Sequence, residues 1–214
     1  MTQHEIRTKI ERGGLTKQQI AEMWKAVFLL STEIALMLHH TKLHSTCNFV
    51  YPMLYFAAHT GARRSEILRS RIDDFCMASR TIAIREKKVH TKKITLRHVE
   101  MSEGLHVAME EWFDHHPGGQ FTICHDPNEI QLGLDDDEQG MSAHKAHYHL
   151  KKTLAKDWGF INGFHVLRHS FASNLAAGGV DQRVIDDWMG HQTEAMRRRY
   201  RHLFPKQPAF FDLK

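Results

Sequence analysis

Only one stretch of this chain reads convincingly as sheet, and that limits it to a small family of folds. Thr81-Ile82-Ala83-Ile84 and Ile94–Met101 are β-branched or alternating and flank a Lys-rich connection, which predicts an antiparallel hairpin. A third short strand is expected around Ile72–Phe75. Elsewhere the apolar spacing is helical or absent. The expected fold class is mainly α with a small three-stranded antiparallel β-sheet.

The helices announce themselves by period and by their stops. Residues Ile20, Trp24, Val27, Phe28 and Ser31 fall at helical spacing in a segment running from Thr16 to about His39. Further helices are expected at about Asn48–His59, ended by Gly61, and at Arg64–Ser70. Ser102 caps an amphipathic helix that Pro117-Gly118-Gly119 stops near His115. Residues 118–141 lack periodicity and carry an acidic run, so they read as a long surface excursion. Helices resume at Ser142–Lys156, His165–Ala177, Asp181–Met189 and Thr193–His202, with Asp181 and Thr193 as N-caps. The first fifteen residues are polar, include Gly13-Gly14, and predict a linker or arm ahead of one domain over 16–214.

Composition removes several classes. Hydrophobic residues are 42% of the chain and charged residues 25%, as in an ordinary globular protein. No run of about 18 apolar residues is present, so no membrane span is expected. The N-terminus has no secretory pattern, and a cytoplasmic location is expected. Cys47, Cys76 and Cys124 are widely spaced without a C-x-x-C pair, which supports neither a disulfide framework nor a zinc knuckle. A net charge of +4, with base gathered in Arg85–Lys93 and Arg197–Arg201, leans toward a polyanionic partner.

The chemistry concentrates in His165-Val166-Leu167-Arg168-His169-Ser170-Phe171. His165 and Arg168 lie at i and i+3 and share a helix face, with Leu167, Phe171 and Leu175 as a stripe expected to bury the side beside them. Arginine offers a bidentate fork to phosphate, and histidine offers one switchable proton. By itself the pair reads equally as a surface His and Arg on an amphipathic helix.

Together with three other motifs in the same order, this segment resembles the tyrosine recombinase (phage integrase) family. Thr60-Gly61-Ala62-Arg63-Arg64-Ser65-Glu66-Ile67-Leu68 is similar to its T-G-x-R-x-S-E-L box, although Glu66 alone could be a helix-surface acid. His165–Ser173 is similar to H-x-L-R-H-T-F-A-T, Met189-Gly190-His191 to L-G-H, and Tyr200 stands nine positions after His191. The resemblance covers roughly residues 50–204. It implies the catalytic-domain fold of that family, double-stranded DNA as partner, and strand cleavage and rejoining through a covalent 3′-phosphotyrosyl intermediate.

The resemblance also implies residue roles. Tyr200 would be the nucleophile, Arg63 and Arg168 the phosphate clamp, and His165 and His191 hydrogen-bonding partners of the same phosphoryl group. A hairpin lysine would protonate the leaving 5′ oxygen, with Lys87 the choice ahead of Lys88 and Lys92. No metal or other cofactor is implied. The family usually carries a separate helical DNA-clamping domain before the catalytic one, which about fifteen linker-like residues cannot build. An excised catalytic fragment is therefore expected, monomeric alone and part of a tetramer on DNA when full length.

Two departures stand out. Arg97-His98-Val99-Glu100-Met101 keeps the hairpin arginine and valine of the family but has Glu100 where proline is usual. Arg64 beside Arg63 is a second cation. Three rival readings are an inactive DNA-binding relative, a type IB topoisomerase-like strand transferase, and a metal-binding protein. The last is suggested by His144, His147 and His149 and by His165 with His169.

Overall fold

Two threonines start the chain's first two helices. Thr2 caps α1 (Gln3–Glu11) and Thr16 caps α2 (Lys17–Lys25), each closing a capping box with Glu5 or Gln19. The computed structural model describes residues 1–87, 94–126, 128, 130–132, 138–155 and 157–190. The expectation of a linker or arm over the first fifteen residues is corrected at α1, whose Ile6 is fully buried in the main core. Ile6 and Ile10, one turn apart, with Met1 beside them, make an apolar edge too short to stand out in sequence, yet it suffices to dock a capped helix.

The single helix expected from Thr16 to His39 is two. It breaks at Ala26–Leu30, and α3 runs Ser31–His44. Val27 and Leu29 are both fully buried at the break. The Leu29 N–H donates to Ser170 Oγ at 2.8 Å, and Asn174 Nδ2 donates to the Leu29 carbonyl at 2.9 Å. A helical Leu29 would spend those backbone groups on its own helix. The partners are more than 140 positions away, so local spacing cannot reveal the break.

Helix α4 (Val50–Thr60) lies at the centre, packed against α3 and four later helices. Val50, Met53, Leu54, Phe56 and Ala57 are inaccessible to solvent. Phe56→Ala should therefore cost about 3–5 kcal/mol by lost transfer and cavity formation. Pro52 sits in the first turn, where its missing N–H is no loss. Gly61 ends the helix in the left-handed region at φ +61°. A Cβ there would also fall 2.7 Å from Met189 Sδ and from Phe171 Cδ1, so glycine is required twice over.

After α5 (Arg64–Arg69), a 3-10 turn at Ile72–Asp74 leads into β1 (Phe75–Cys76). The expected strand at Ile72–Phe75 is thus mostly turn. Strands β2 (Thr81–Lys87) and β3 (Ile94–Glu100) form the expected hairpin, giving a three-stranded antiparallel sheet in the order β1-β2-β3. Arg85 grips the Asp74 carboxylate through Nε at 2.8 Å and Nη2 at 2.6 Å, pinning β2 to the turn.

Helix α6 (Glu103–Asp114) is capped by Ser102, as expected. The excursion after it contains the short pair β4 (Gln131–Leu132) and β5 (Glu138–Gln139). Then come α7 (Ala143–Leu154), α8 (Phe164–Ala177) and α9 (Gln182–Met189), the last capped by Asp181. Helix α8 packs on α4, while Ala172 and Ala176 form a second small core with Ile185 and Met189 of α9. The expected Leu167, Phe171, Leu175 stripe is only partly right. Leu167 is fully buried in the main core, whereas Phe171 and Leu175 are partly buried where α8 meets α9.

A half-buried histidine adds an acid-sensitive joint. His59 of α4 stacks on Tyr55 at 4.5 Å and shares a 2.8 Å hydrogen bond with the Ser102 hydroxyl that caps α6. Burial pushes its pKa down to about 4. Its ordinary value is near 6.5, so the unfolded chain takes the proton first. The stability it contributes is complete above about pH 6.5 and lost as pH falls toward 4, up to about 3 kcal/mol. Urea midpoints of wild type should fall between about pH 7 and 4.5, and His59→Gln should flatten that fall. A variant as acid-sensitive as wild type would assign the loss to other groups.

Candidate active site

The first candidate side chain is set by a helix start. Leaving the Gly61 turn, Arg63 is the N-cap of α5, and Glu66 one turn later accepts its backbone N–H at 2.8 Å. Glu66 Oε1 also takes Arg63 Nη1 at 2.6 Å. The Arg63 side chain is 40% exposed, whereas that of Glu66 is only 3% exposed. Glu66 is therefore not a helix-surface acid. It orients Arg63 from below and leaves the arginine at the surface.

Arg168 is placed differently. Its side chain is buried, with Nη1 donating to the Gly61 carbonyl at 2.5 Å and Nη2 to the Met189 carbonyl. One guanidinium thus ties the corner two residues before Arg63 to the end of α9, two residues before His191 in sequence. These carbonyls are orphan acceptors at helix C-termini, and a buried cation is a suitable donor for both. The sequence correctly put His165 and Arg168 one turn apart, but they are not equally exposed. His165, the second residue of α8, is solvent-exposed. Desolvation and the neighbouring His147 push its pKa below that of a free imidazole, which favours the neutral ring at pH 7.

Lys87 is the last residue of β2, opposite Ile94. His191, Tyr200, Lys88 and Lys92 lie outside the described residues, as do Thr193, Arg197 and Arg198. Of the histidines that suggested metal, His165 and His169 stand edge to face at 6.2 Å. Among the described residues, no group of three or more His, Cys, Asp or Glu side chains is arranged to hold a metal ion. Nor is any described helix long and apolar enough to cross a membrane.

Two charged residues join these parts: the hairpin arginine, Arg97, to which the resemblance gives no role, and Glu86, which no motif marks. Arg97 of β3 is buried and uses three nitrogens. Nη2 meets Glu66 Oε2 at 2.9 Å, Nη1 meets Glu86 Oε1 at 2.7 Å, and Nε donates to the Trp188 carbonyl at 2.7 Å. Glu86 Oε1 also lies 3.5 Å from Arg63 Nη1. Burial alone would raise the Glu66 pKa, but the charges and hydrogen bonds of Arg97 and Arg63 hold it below the usual carboxylate range. A signal was present in the alternation. Ile82, Ile84 and Glu86 fall on one face of β2 and Thr95, Arg97 and Val99 on the matching face of β3. Opposite charges on the inward face of a hairpin mark a built pair.

Similarity to known proteins agrees with this architecture. The chain belongs to the phage integrase family, whose model matches residues 27–207. A tyrosine recombinase XerD from Rickettsia bellii (strain RML369-C) is 54% identical over 39 residues, 18% of this chain and 13% of that protein. The type 1 fimbriae regulatory protein FimB of Escherichia coli (strain K12) is 27% identical over 176 residues, 80% of this chain and 82% of that one. The crystal structure of the XerH site-specific recombinase bound to difH substrate superposes with TM-score 0.59 at 19% identity, covering 81% of this chain and 49% of that chain. The fold is that of tyrosine recombinase catalytic domains. The matched part is a small fraction of the XerD protein and about half of the XerH chain.

Proposed function

We propose that the chain is the catalytic domain of a site-specific tyrosine recombinase that cleaves and rejoins double-stranded DNA, with α1 packed as part of it. The observation that carries this most directly is Arg168, whose two carbonyl hydrogen bonds draw together the Arg63 corner and the helix end ahead of His191. Membership of the integrase family and the family spacing of Tyr200 support it.

In this reading the Tyr200 oxygen attacks the scissile phosphorus and the bond to the 5′ oxygen breaks, leaving DNA joined to Tyr200 through its 3′ phosphate. The extra charge falls on the non-bridging oxygens, where preorganised cationic donors have their largest effect. Arg63, exposed yet oriented by Glu66, and Arg168 supply those donors. His165 and His191 hydrogen-bond the same group, and one of them takes the Tyr200 proton. Lys87, at the strand end, delivers a proton to the departing 5′ oxygen. The reverse attack by a 5′ hydroxyl rejoins a strand, so bond energy is conserved. The whole protein would act in the cytoplasm, monomeric when free and tetrameric on DNA.

Covalent capture tests this without knowledge of the target site. A pool of nicked duplexes with randomised sequence is incubated with the chain, denatured, and recovered by protein tag. Wild type should retain DNA through a denaturation-resistant bond and enrich a common sequence. Binding without covalent retention would instead make the chain an inactive relative. Retention with no sequence enrichment would favour a topoisomerase-like activity.

A further inference from the structure

We propose that Arg97 is a positioning residue for the Arg63 phosphate clamp, acting by drawing the Glu86 carboxylate away from it and by fixing the Glu66 carboxylate that orients it. The inference rests on the recombinase reading above. Four charges meet at the junction of α5, the hairpin and α9: Arg63, Glu66, Arg97 and Glu86. Their formal sum is zero, and the two arginines have different exposure. Arg97 is 7% exposed and Arg63 40%. The buried cation faces inward and the partly exposed one is in reach of a ligand.

The geometry divides the work between them. Glu66 Oε1 accepts from the Arg63 guanidinium, while its Oε2 accepts from both Arg97 and the Arg63 backbone N–H, so the carboxylate is fixed between the two arginines. Glu86 Oε1 is 2.7 Å from Arg97 but 3.5 Å from Arg63, so its stronger hydrogen bond goes to the buried partner. Among the described residues, the ion pairs of Arg63 with Glu66 and Glu86 both run through Nη1. The rest of its fork is directed to no described acid. Without Arg97, the site would hold two acids against one arginine. Glu86 would then swing onto Arg63 and compete with phosphate for the same fork.

The same residue aligns three elements. Through Nε it holds the Trp188 carbonyl near the end of α9. Glu86 also packs against Gly190, where an added Cβ would fall 1.8 Å from Oε1. Gly190 has φ +60°, so its left-handed turn and the close carboxylate both demand glycine. The Lys87 end of the hairpin, the Arg63 corner and the turn leading to His191 are therefore registered through one planar fork. Lysine cannot reproduce it, since a single ammonium does not span three acceptors in fixed directions.

The test uses the full chain and a duplex recovered by covalent capture. Cleavage rate at saturating protein, DNA affinity and thermal midpoint are measured for Arg97→Met, Arg97→Met with Glu86→Gln, and Arg97→Lys. Arg97→Met should cleave about 10²-fold more slowly, as for a misplaced catalytic group, with DNA affinity within about threefold of wild type. Adding Glu86→Gln removes the competing charge and should restore at least about tenfold of the rate.

A rate for Arg97→Met within about threefold of wild type overturns the proposal. So does a double variant that regains thermal stability without regaining rate, because Arg97 would then be only a structural prop. If Arg97→Met does not fold, Arg97→Lys decides: at least about tenfold slower cleavage at an unchanged midpoint supports the proposal, and a wild-type rate sinks it. Failure of wild type to form any adduct is a different result. It overturns the recombinase reading itself, and the inference with it.

Discussion

Tyr200→Phe should abolish the covalent DNA adduct while leaving folding and DNA affinity nearly unchanged. The substitution removes one oxygen, and that oxygen is the atom proposed to bond phosphorus. Phenylalanine has no atom able to bond phosphorus, so the expected loss is complete rather than graded. DNA affinity comes mostly from many backbone phosphates neutralised by Lys and Arg, to which one phenol hydroxyl adds little. The measurement is denaturing electrophoresis of end-labelled nicked duplex beside a binding titration at fixed salt. A slow-migrating adduct that persists in the variant would move the nucleophile elsewhere and undo the assignment of the other roles around it.

The second large effect belongs to the clamp. Arg63→Ala should reduce cleavage on the order of 10²–10³, the usual loss for one charge-stabilising donor. Arg197→Ala or Arg198→Ala should instead weaken DNA binding modestly and reduce the salt slope by about one unit for each phosphate no longer neutralised. A 5′-phosphorothiolate substrate sharpens the contrast. A thiolate leaving group, with pKa near about 8.5, needs little protonation. Lys87→Ala should therefore recover on that substrate, whereas Arg63→Ala should not, because the work proposed for it is on the non-bridging oxygens. Rescue of Lys88→Ala or Lys92→Ala in place of Lys87→Ala would move the general acid along the hairpin. Equal cleavage defects for Arg63 and Arg197 would reduce all of these residues to bulk electrostatics.

Much of this architecture is visible in short-range patterns. Ser102 and Asp181 are readable as N-caps because a cap joins residues two or three apart. Gly61 and Gly190 are readable as helix stops because a left-handed backbone favours glycine wherever it occurs. The hairpin follows from β-branching on either side of a polar turn, and its register keeps Ile82 and Ile84 inward as alternation requires. The motif residues Arg63, His165 and Arg168 stand out by spacing along the chain.

Other features depend on partners that spacing does not name. The segment that reads as an N-terminal arm is α1 because Ile6 finds a place in a core made by distant residues. Glu66, apart from its motif, could be a surface acid, because a carboxylate beside two arginines has no sequence mark of burial. Arg168 reads as an open phosphate ligand, whereas its bonds to the Gly61 and Met189 carbonyls make it also the tie between two helix ends.

Short-range chemistry along the chain accounts for the elements it controls, together with the family motifs. These are the capped helices, the β2–β3 hairpin, the glycine stops and the order of the boxes. Tertiary structure alone decided where the long first helix breaks, which arginine is buried and which exposed, and which acids face them. The reason is range. Caps, turns and periodicity are settled within a few residues, but Leu29 meets Ser170 across 141 positions and Arg97 meets Trp188 across 91. Whether such groups are satisfied or stranded depends on packing that no local pattern encodes.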